Sequence, residues 1–202
     1  MCVARGAIGF LAGLVLSCVA SHASAAASLE RVVQGARGQI GVTTRYDPAY
    51  TRLTYPGGDV PRDRGVCTDV VIRAYRSVGV DLQQRVHDDM QTAWNAYPHV
   101  WGLKSTDTNI DHRRVQNLEV FFRRHGATVV NSQRASDYAP GDIVTWRLSN
   151  GLPHIGIVSR IDASGAYVIH NIGAGAQEEP VLFDYAIVGH FRYAYGGDGS
   201  GR

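Results

Sequence analysis

The chain changes its hydrophobic period half-way along. Between residues 67 and 125 apolar side chains recur three and four apart, whereas residues 128–193 carry short β-branched runs separated by turn residues. Val70, Val71, Ala74, Tyr75 and Val78 mark a helix stopped by Gly79. Leu82, Val86, Met90, Ala93, Trp94 and Tyr97 mark a second, ended by Pro98, and Val115, Leu118, Phe121 and Phe122 a third, stopped by Gly126. Upstream, Ser28 is a candidate N-cap for a helix with Leu29, Val32, Val33 and Ala36 on one side, broken by Gly38 and Gly41. The second half reads as strands over residues 128–130, 143–146, 154–159, 167–170 and 187–193, with Pro140-Gly141-Asp142, Asn150-Gly151 and Ser164-Gly165 as turns. Helices first and an antiparallel meander after them predict an α+β domain, its N-terminal helices packed on an antiparallel β-sheet. Residues 43–64, rich in Tyr, Pro, Gly and Asp, predict a long irregular loop that forms part of a cleft wall.

The first 25 residues read as a signal peptide. Arg5 supplies a positive start, residues 7–20 an apolar run too short for a comfortable membrane span, and Ala23-Ser24-Ala25 a cleavage site. The expected organisation is a signal peptide over 1–25, one domain over 26–195 and a flexible tail over 196–202. The mature protein would be periplasmic or secreted. Lipoprotein processing at Cys18 is the weaker alternative, because Leu16 before Ser17-Cys18 fits a lipobox poorly. A formal net charge of +2 argues against nucleic acid as a partner, and no stable membrane insertion is expected after cleavage.

Cleavage removes Cys2 and Cys18 and leaves Cys67 as the sole thiol, with no internal disulfide available. Cys67 opens a helix, where unpaired backbone N–H groups and the helix dipole favour a thiolate. His154 opens one strand and His170 closes the next, so hairpin pairing can bring the two imidazoles together. A thiol needs a base, and the base needs a partner that fixes its tautomer. The residues therefore predict Cys67 as nucleophile, His154 as base and His170 as orienter, with backbone N–H groups at the helix start as an oxyanion hole. Asn171 is the rival orienter, and strand alternation allows only one of the two to face the site.

A helix-borne Cys67, Pro140-Gly141-Asp142 opening a strand, then His154-Ile155-Gly156-Ile157-Val158 and a hairpin ending in His170 resemble the NlpC/P60 group of papain-like cysteine peptidases. The resemblance is fuller for the family called Domain of Unknown Function 1287. It is carried by Tyr55-Pro56-Gly57-Gly58-Asp59-Val60, by the segment from Gly65 to Ala74, by Asn109-Ile110-Asp111-His112-Arg113-Arg114-Val115 and by His170-Asn171-Ile172-Gly173. It implies an NlpC/P60-type fold and the same three catalytic residues. Where better-known peptidases read Asp-Cys-Ser-Gly, this chain has Val66-Cys67-Thr68-Asp69, which puts a carboxylate next to the nucleophile. That carboxylate either opposes thiolate formation or stabilises the first helical turn.

Tyr55, Asp69, Arg113, Arg114 and Asn171 are the candidate substrate-contacting positions. Arg113 and Arg114 could grip a substrate carboxylate or brace the long loop through a structural ion pair. His112 and His170 lack the spacing of a zinc site, so no metal and no cofactor is expected. The resulting expectation is an exported cysteine amidohydrolase or peptidase that cleaves an amide in the peptide part of peptidoglycan. A cell-wall-binding module on a degenerate hydrolase fold, and a hydrolase or acyltransferase aimed at another amide, are the alternatives. An inhibitory protein partner is left open.

Overall fold

The computed structural model of the chain describes residues 11–195, with side chains from residue 24 onward. Cys2, Arg5 and the tail from Gly196 lie outside the described residues, as does the side chain of Cys18. The first helix, α1 (Leu11–Arg37), runs without a break through Ala23-Ser24-Ala25. Ser28 is therefore not an N-cap here. It sits inside the helix, and its hydroxyl donates back to the Ala25 carbonyl at 2.7 Å. Leu29, Val32, Val33 and Ala36 do face the core. No helix among the described residues is long and apolar enough to cross a membrane.

Two-residue strands β1 (Arg45–Tyr46) and β2 (Arg64–Gly65) pair in parallel across the long loop. Next come α2 (Cys67–Arg76), α3 (Leu82–Thr92) and α4 (Val115–His125). Helix α2 buries Val70, Val71, Ala74 and Tyr75 completely, each larger side chain giving on the order of 1.5–3 kcal/mol. Its Arg73 turns inward against the loop. That guanidinium pairs with Asp59 at 2.8 Å and donates to the carbonyls of Val60 and Arg64. Helix α3 ends earlier than the apolar spacing predicts. Ala93 leaves helical geometry at φ −129°, and Tyr97 instead folds back so that its hydroxyl donates to Asp89 at 2.6 Å.

The sheet has six antiparallel strands in the order β3-β8-β4-β5-β6-β7. They are β3 (Ala127–Thr128), β4 (Ile143–Arg147), β5 (Pro153–Asp162), β6 (Gly165–His170), β7 (Gln177–Glu179) and β8 (Ala186–Arg192). Strand β7 is not visible in the sequence pattern. Helices α1, α2 and α4 pack against one face of the sheet. Strand alternation divides the core accordingly. Ile143, Ile155, Ile157, Ile169 and Phe191 join Cys67, Val70 and Phe122 on the helix side. Val144, Trp146, Val158 and Val168 form a smaller cluster on the other side with Tyr138 and Leu182. The domain is thus α+β, with N-terminal helices layered on an antiparallel sheet.

Candidate active site

Cys67 is the first residue of α2, and three devices hold that helix start. Asp69 closes the turn by accepting the Val66 N–H at 2.7 Å. A Cβ on Gly65 would stand 2.9 Å from the same Asp69 oxygen, so this approach needs a glycine. Asn171 supplies the third. Its Nδ2 donates to the Gly65 carbonyl at 3.0 Å, and its Oδ1 accepts from the N–H groups of Gly173 and Gly175. Asn171 thereby ties the segment after β6 to the backbone leading into Cys67. It does not touch the imidazoles.

The two histidines come together on the sheet. Ile157 pairs with Ile169, so one step along the ladder His170 falls opposite Gly156, with His154 two residues further on the same face. Gly156 makes the approach feasible. A Cβ there would lie 2.6 Å from a Val168 methyl and 3.1 Å from the His170 Cβ. Across that gap His154 Nε2 meets His170 Nδ1 at 2.7 Å. His170 Nε2 in turn meets Glu179 Oε2, on β7, at 2.9 Å.

This order dictates tautomers. A carboxylate only accepts, so Glu179 takes the proton on His170 Nε2. His170 Nδ1 then carries a lone pair and accepts from His154 Nε2–H. The remaining nitrogen, His154 Nδ1, is left with a free lone pair, as a general base requires. Both rings are neutral. Burial pushes His154 down to about 3, with His170 adding to the effect, and burial lowers His170 despite the pull of Glu179.

The thiol differs from its sequence expectation. Burial pushes Cys67 up to about 12, and Asp69 adds to the rise. The N–H groups of Ile155, Thr68 and Cys67 itself work the other way without prevailing. The His154 ring is not among the groups that act on the thiol. Ile155, whose N–H acts on the sulfur, follows His154 directly on β5. At rest the thiol and the imidazole are both neutral.

A groove of about 290 Å³ opens at Cys67, walled by Tyr46, Trp101, Arg114, Leu152 and Pro153 among others. Tyr46 comes from the long loop, which does form part of the wall. Burial and the nearby Cys67 and Asp69 push its phenol up to about 12, so it stays protonated. Tyr55 is elsewhere, with its hydroxyl on Asp88 at 2.9 Å and its ring edge-on to His87. Asp69 and Arg113 form a buried two-bond ion pair at 3.0 and 2.9 Å. Arg113 also donates to the carbonyls of Ala49 and Asp47, bracing the loop. Arg114 instead lies over the Trp101 ring, 3.9 Å from its centroid. His112 is buried away from the groove. Among the described residues no three His, Cys, Asp or Glu side chains converge as a metal site would need.

Residues 33–193 match the model of the family described as Domain of unknown function (DUF1287). The chain belongs to this family. It is 62% identical over 164 residues to "Uncharacterized protein YijF" of Escherichia coli (strain K12), covering 80% of each chain. Among solved structures it is similar to NlpC1 and NlpC2 of Trichomonas vaginalis, at 14% and 16% identity and a TM-score of 0.44 for each. These cover 82% of this chain but 44% and 46% of theirs, so the chain spans less than half the length of either. The matched family region contains Cys67, His154, His170 and Glu179, the last of which the sequence reading missed.

Proposed function

We propose that this protein is an exported cysteine amide hydrolase acting on the peptide part of peptidoglycan. The observation that carries the reading is the His154–His170–Glu179 chain, which leaves His154 Nδ1 without a partner on β5, the strand whose Ile155 N–H acts on the Cys67 thiol. In this mechanism the substrate enters the groove and displaces water. Cys67 Sγ attacks the amide carbonyl as its proton passes to His154 Nδ1, so the thiolate forms in the encounter rather than at rest. The oxyanion takes hydrogen bonds from free N–H groups of the first turn and from the protonated Tyr46 hydroxyl. His154 returns the proton to the leaving amine, giving a thioester. Water, deprotonated by His154, then attacks that thioester and releases a carboxylic acid and the free thiol.

Export supplies access to the polymer. It rests on the N-terminal leader, and N-terminal sequencing of the protein recovered outside the cytoplasm should begin at Ala26. For the activity, purified chain from Ala26 onward is incubated with peptidoglycan and the soluble products are identified by mass spectrometry. New amine and carboxyl termini in the stem peptides are expected, absent with Cys67→Ala and unaffected by EDTA. Release that survives Cys67→Ala would overturn the thiol mechanism. Binding to the polymer without release would favour the wall-binding module.

A further inference from the structure

Arg113 and Arg114 are neighbours in sequence with opposite fates. Arg113 is fully committed to Asp69 and to two loop carbonyls. Arg114 has no hydrogen-bond or ion-pair partner among the described residues, and its Nη1 is buried and unpartnered. Its guanidinium is spread over Trp101, and both side chains wall the groove that contains Cys67. No aspartate or glutamate lines that groove.

The acids that act on Arg114 through space are Asp107 and Asp111, neither in ion-pair contact with it, and Asp111 keeps one buried oxygen unpartnered. Asp111 accepts from His87 and from the Asp107 N–H, and Asp107 accepts from Asn109 and Tyr50. Burial accordingly lowers the Arg114 pKa. A guanidinium partly drawn out of water with no ion-pair partner in contact is costly until an anion completes it. The platform beneath it is also held at a cost. Trp101 adopts φ 69°, a left-handed conformation that a bulky residue reaches only under constraint, and such strain concentrates at ligand sites.

We infer that Trp101 and Arg114 form an anion subsite of the Cys67 groove, which takes a free carboxylate carried by the peptide substrate. The inference rests on the amide-hydrolase reading and names the substrate feature that the groove selects. Arg114 donates to the carboxylate through its planar fork, while the Trp101 face fixes the plane of that fork.

The test uses stem peptides in pairs that differ only in having a side carboxylate free or converted to the carboxamide. Wild-type protein should cleave the free acid with a kcat/KM roughly 10- to 100-fold higher, the range of one charge-assisted contact. Arg114→Gln should bring that ratio close to one. Arg114→Lys, which keeps the charge and loses the fork, should fall between. Binding of both peptides to the Cys67→Ala protein, read by calorimetry, gives the same comparison without turnover. Trp101→Leu should weaken the preference in both assays, and circular dichroism checks that each variant is folded. Cleavage without any preference for the acid would overturn the anion subsite and leave the hydrolase reading intact. Acid-selective binding without cleavage would do the reverse. Equal binding of both peptides with no cleavage would remove both.

Discussion

Two buried histidine–carboxylate networks lie on the same sheet, and they end differently. On β8, His190 presents Nε2 to Asp142 at 2.8 Å and Nδ1 to the Val130 carbonyl at 3.2 Å. Arg192 adds two bonds to Asp142, and Tyr138 stacks on the imidazole at 4.1 Å. Every polar atom of that ring is used, and the Pro140-Gly141-Asp142 turn is locked by it. On β5, His154 uses Nε2 alone, and its chain runs out through His170 to Glu179, whose side chain is 42% exposed. A saturated network stabilises a fold. One that leaves a basic nitrogen free can take up a proton.

The comparison breaks first at the histidines themselves. His154→Ala and Cys67→Ala should each lower amide hydrolysis by at least ~10³-fold, the scale of losing a member of a catalytic unit. Their stability should change by only about 1 kcal/mol for Cys67→Ala. His190→Ala should do the opposite, costing about 2–4 kcal/mol by stripping buried Asp142 of a partner. Its activity per folded molecule should be retained. Thermal melts beside hydrolysis assays separate the two patterns. A His190 variant that is stable but inactive would erase the distinction.

The third member sharpens it. His170→Ala should cost roughly 10²-fold, because His154 loses the acceptor that fixes its tautomer. His170→Asn keeps an acceptor oxygen and should recover part of that loss. Adding His170→Ala to His154→Ala should cost little more, since members of one unit are not additive. Asn171→Ala should act on stability, because that side chain holds backbone and touches no imidazole.

The same contrast explains what could be read without coordinates. Helical and strand faces are local periodicities, so the α+β layering was legible. Cys67, His154 and His170 were also legible because each marks the end of a regular element. Glu179 was not. It lies on a three-residue strand after Gly173 and Gly175, too short to show alternation, and only the pairing of Val168 with Glu179 brings it to His170. Tyr46 ends the two-residue β1 and Trp101 sits in an irregular loop against Arg114, so neither lies in a segment long enough to show a period. The roles of Arg113 and Arg114 diverge because a 3-10 turn ends between them, and one aims inward at Asp69. The thiolate expectation failed on magnitude. A helix dipole contributes well under the cost of burying a charge, and Cys67 is only 4% exposed.

That neutral resting state has its own signature in pH. Alkylation of Cys67 should keep rising about tenfold per pH unit from 8 to 10, because the reactive thiolate is a small fraction throughout. An ordinary thiol would level off near its usual pKa of ~8.5. On the acid side, kcat/KM should show no break near pH 6.5, since His154 stays unprotonated down to about 3. Stability behaves differently. The folded pKa of His154 lies below its unfolded value, so unfolded chains bind more protons in between, and stability falls as pH drops from about 6.5 towards 3. Buried His112, also pushed down to about 3, contributes to the same fall. His154→Ala should therefore flatten the acid side of the stability curve only in part. A thiol titrating near neutrality would remove the neutral-pair description.

The smallest expected effect tests the outer end of the chain. Glu179→Gln leaves an amide that can either accept from His170 Nε2–H or donate to it, so the tautomer preference is weakened and not abolished. Because Glu179 is partly exposed, solvent screens its charge, and water can replace one acceptor with another. A loss of roughly 3- to 10-fold in kcat is expected, below the roughly 10²-fold or more of a group that transfers the proton itself. KM should stay near its original value, because Glu179 is not among the residues that wall the groove. His170 should also become harder to protonate, since Glu179 is what favours its charged form, and NMR titration of the ring reads this directly. Glu179→Ala should resemble Glu179→Gln if water can stand in as acceptor. A wild-type rate in both variants, with the His170 titration unmoved, would detach Glu179 from the chain and leave His170 to hold its tautomer alone.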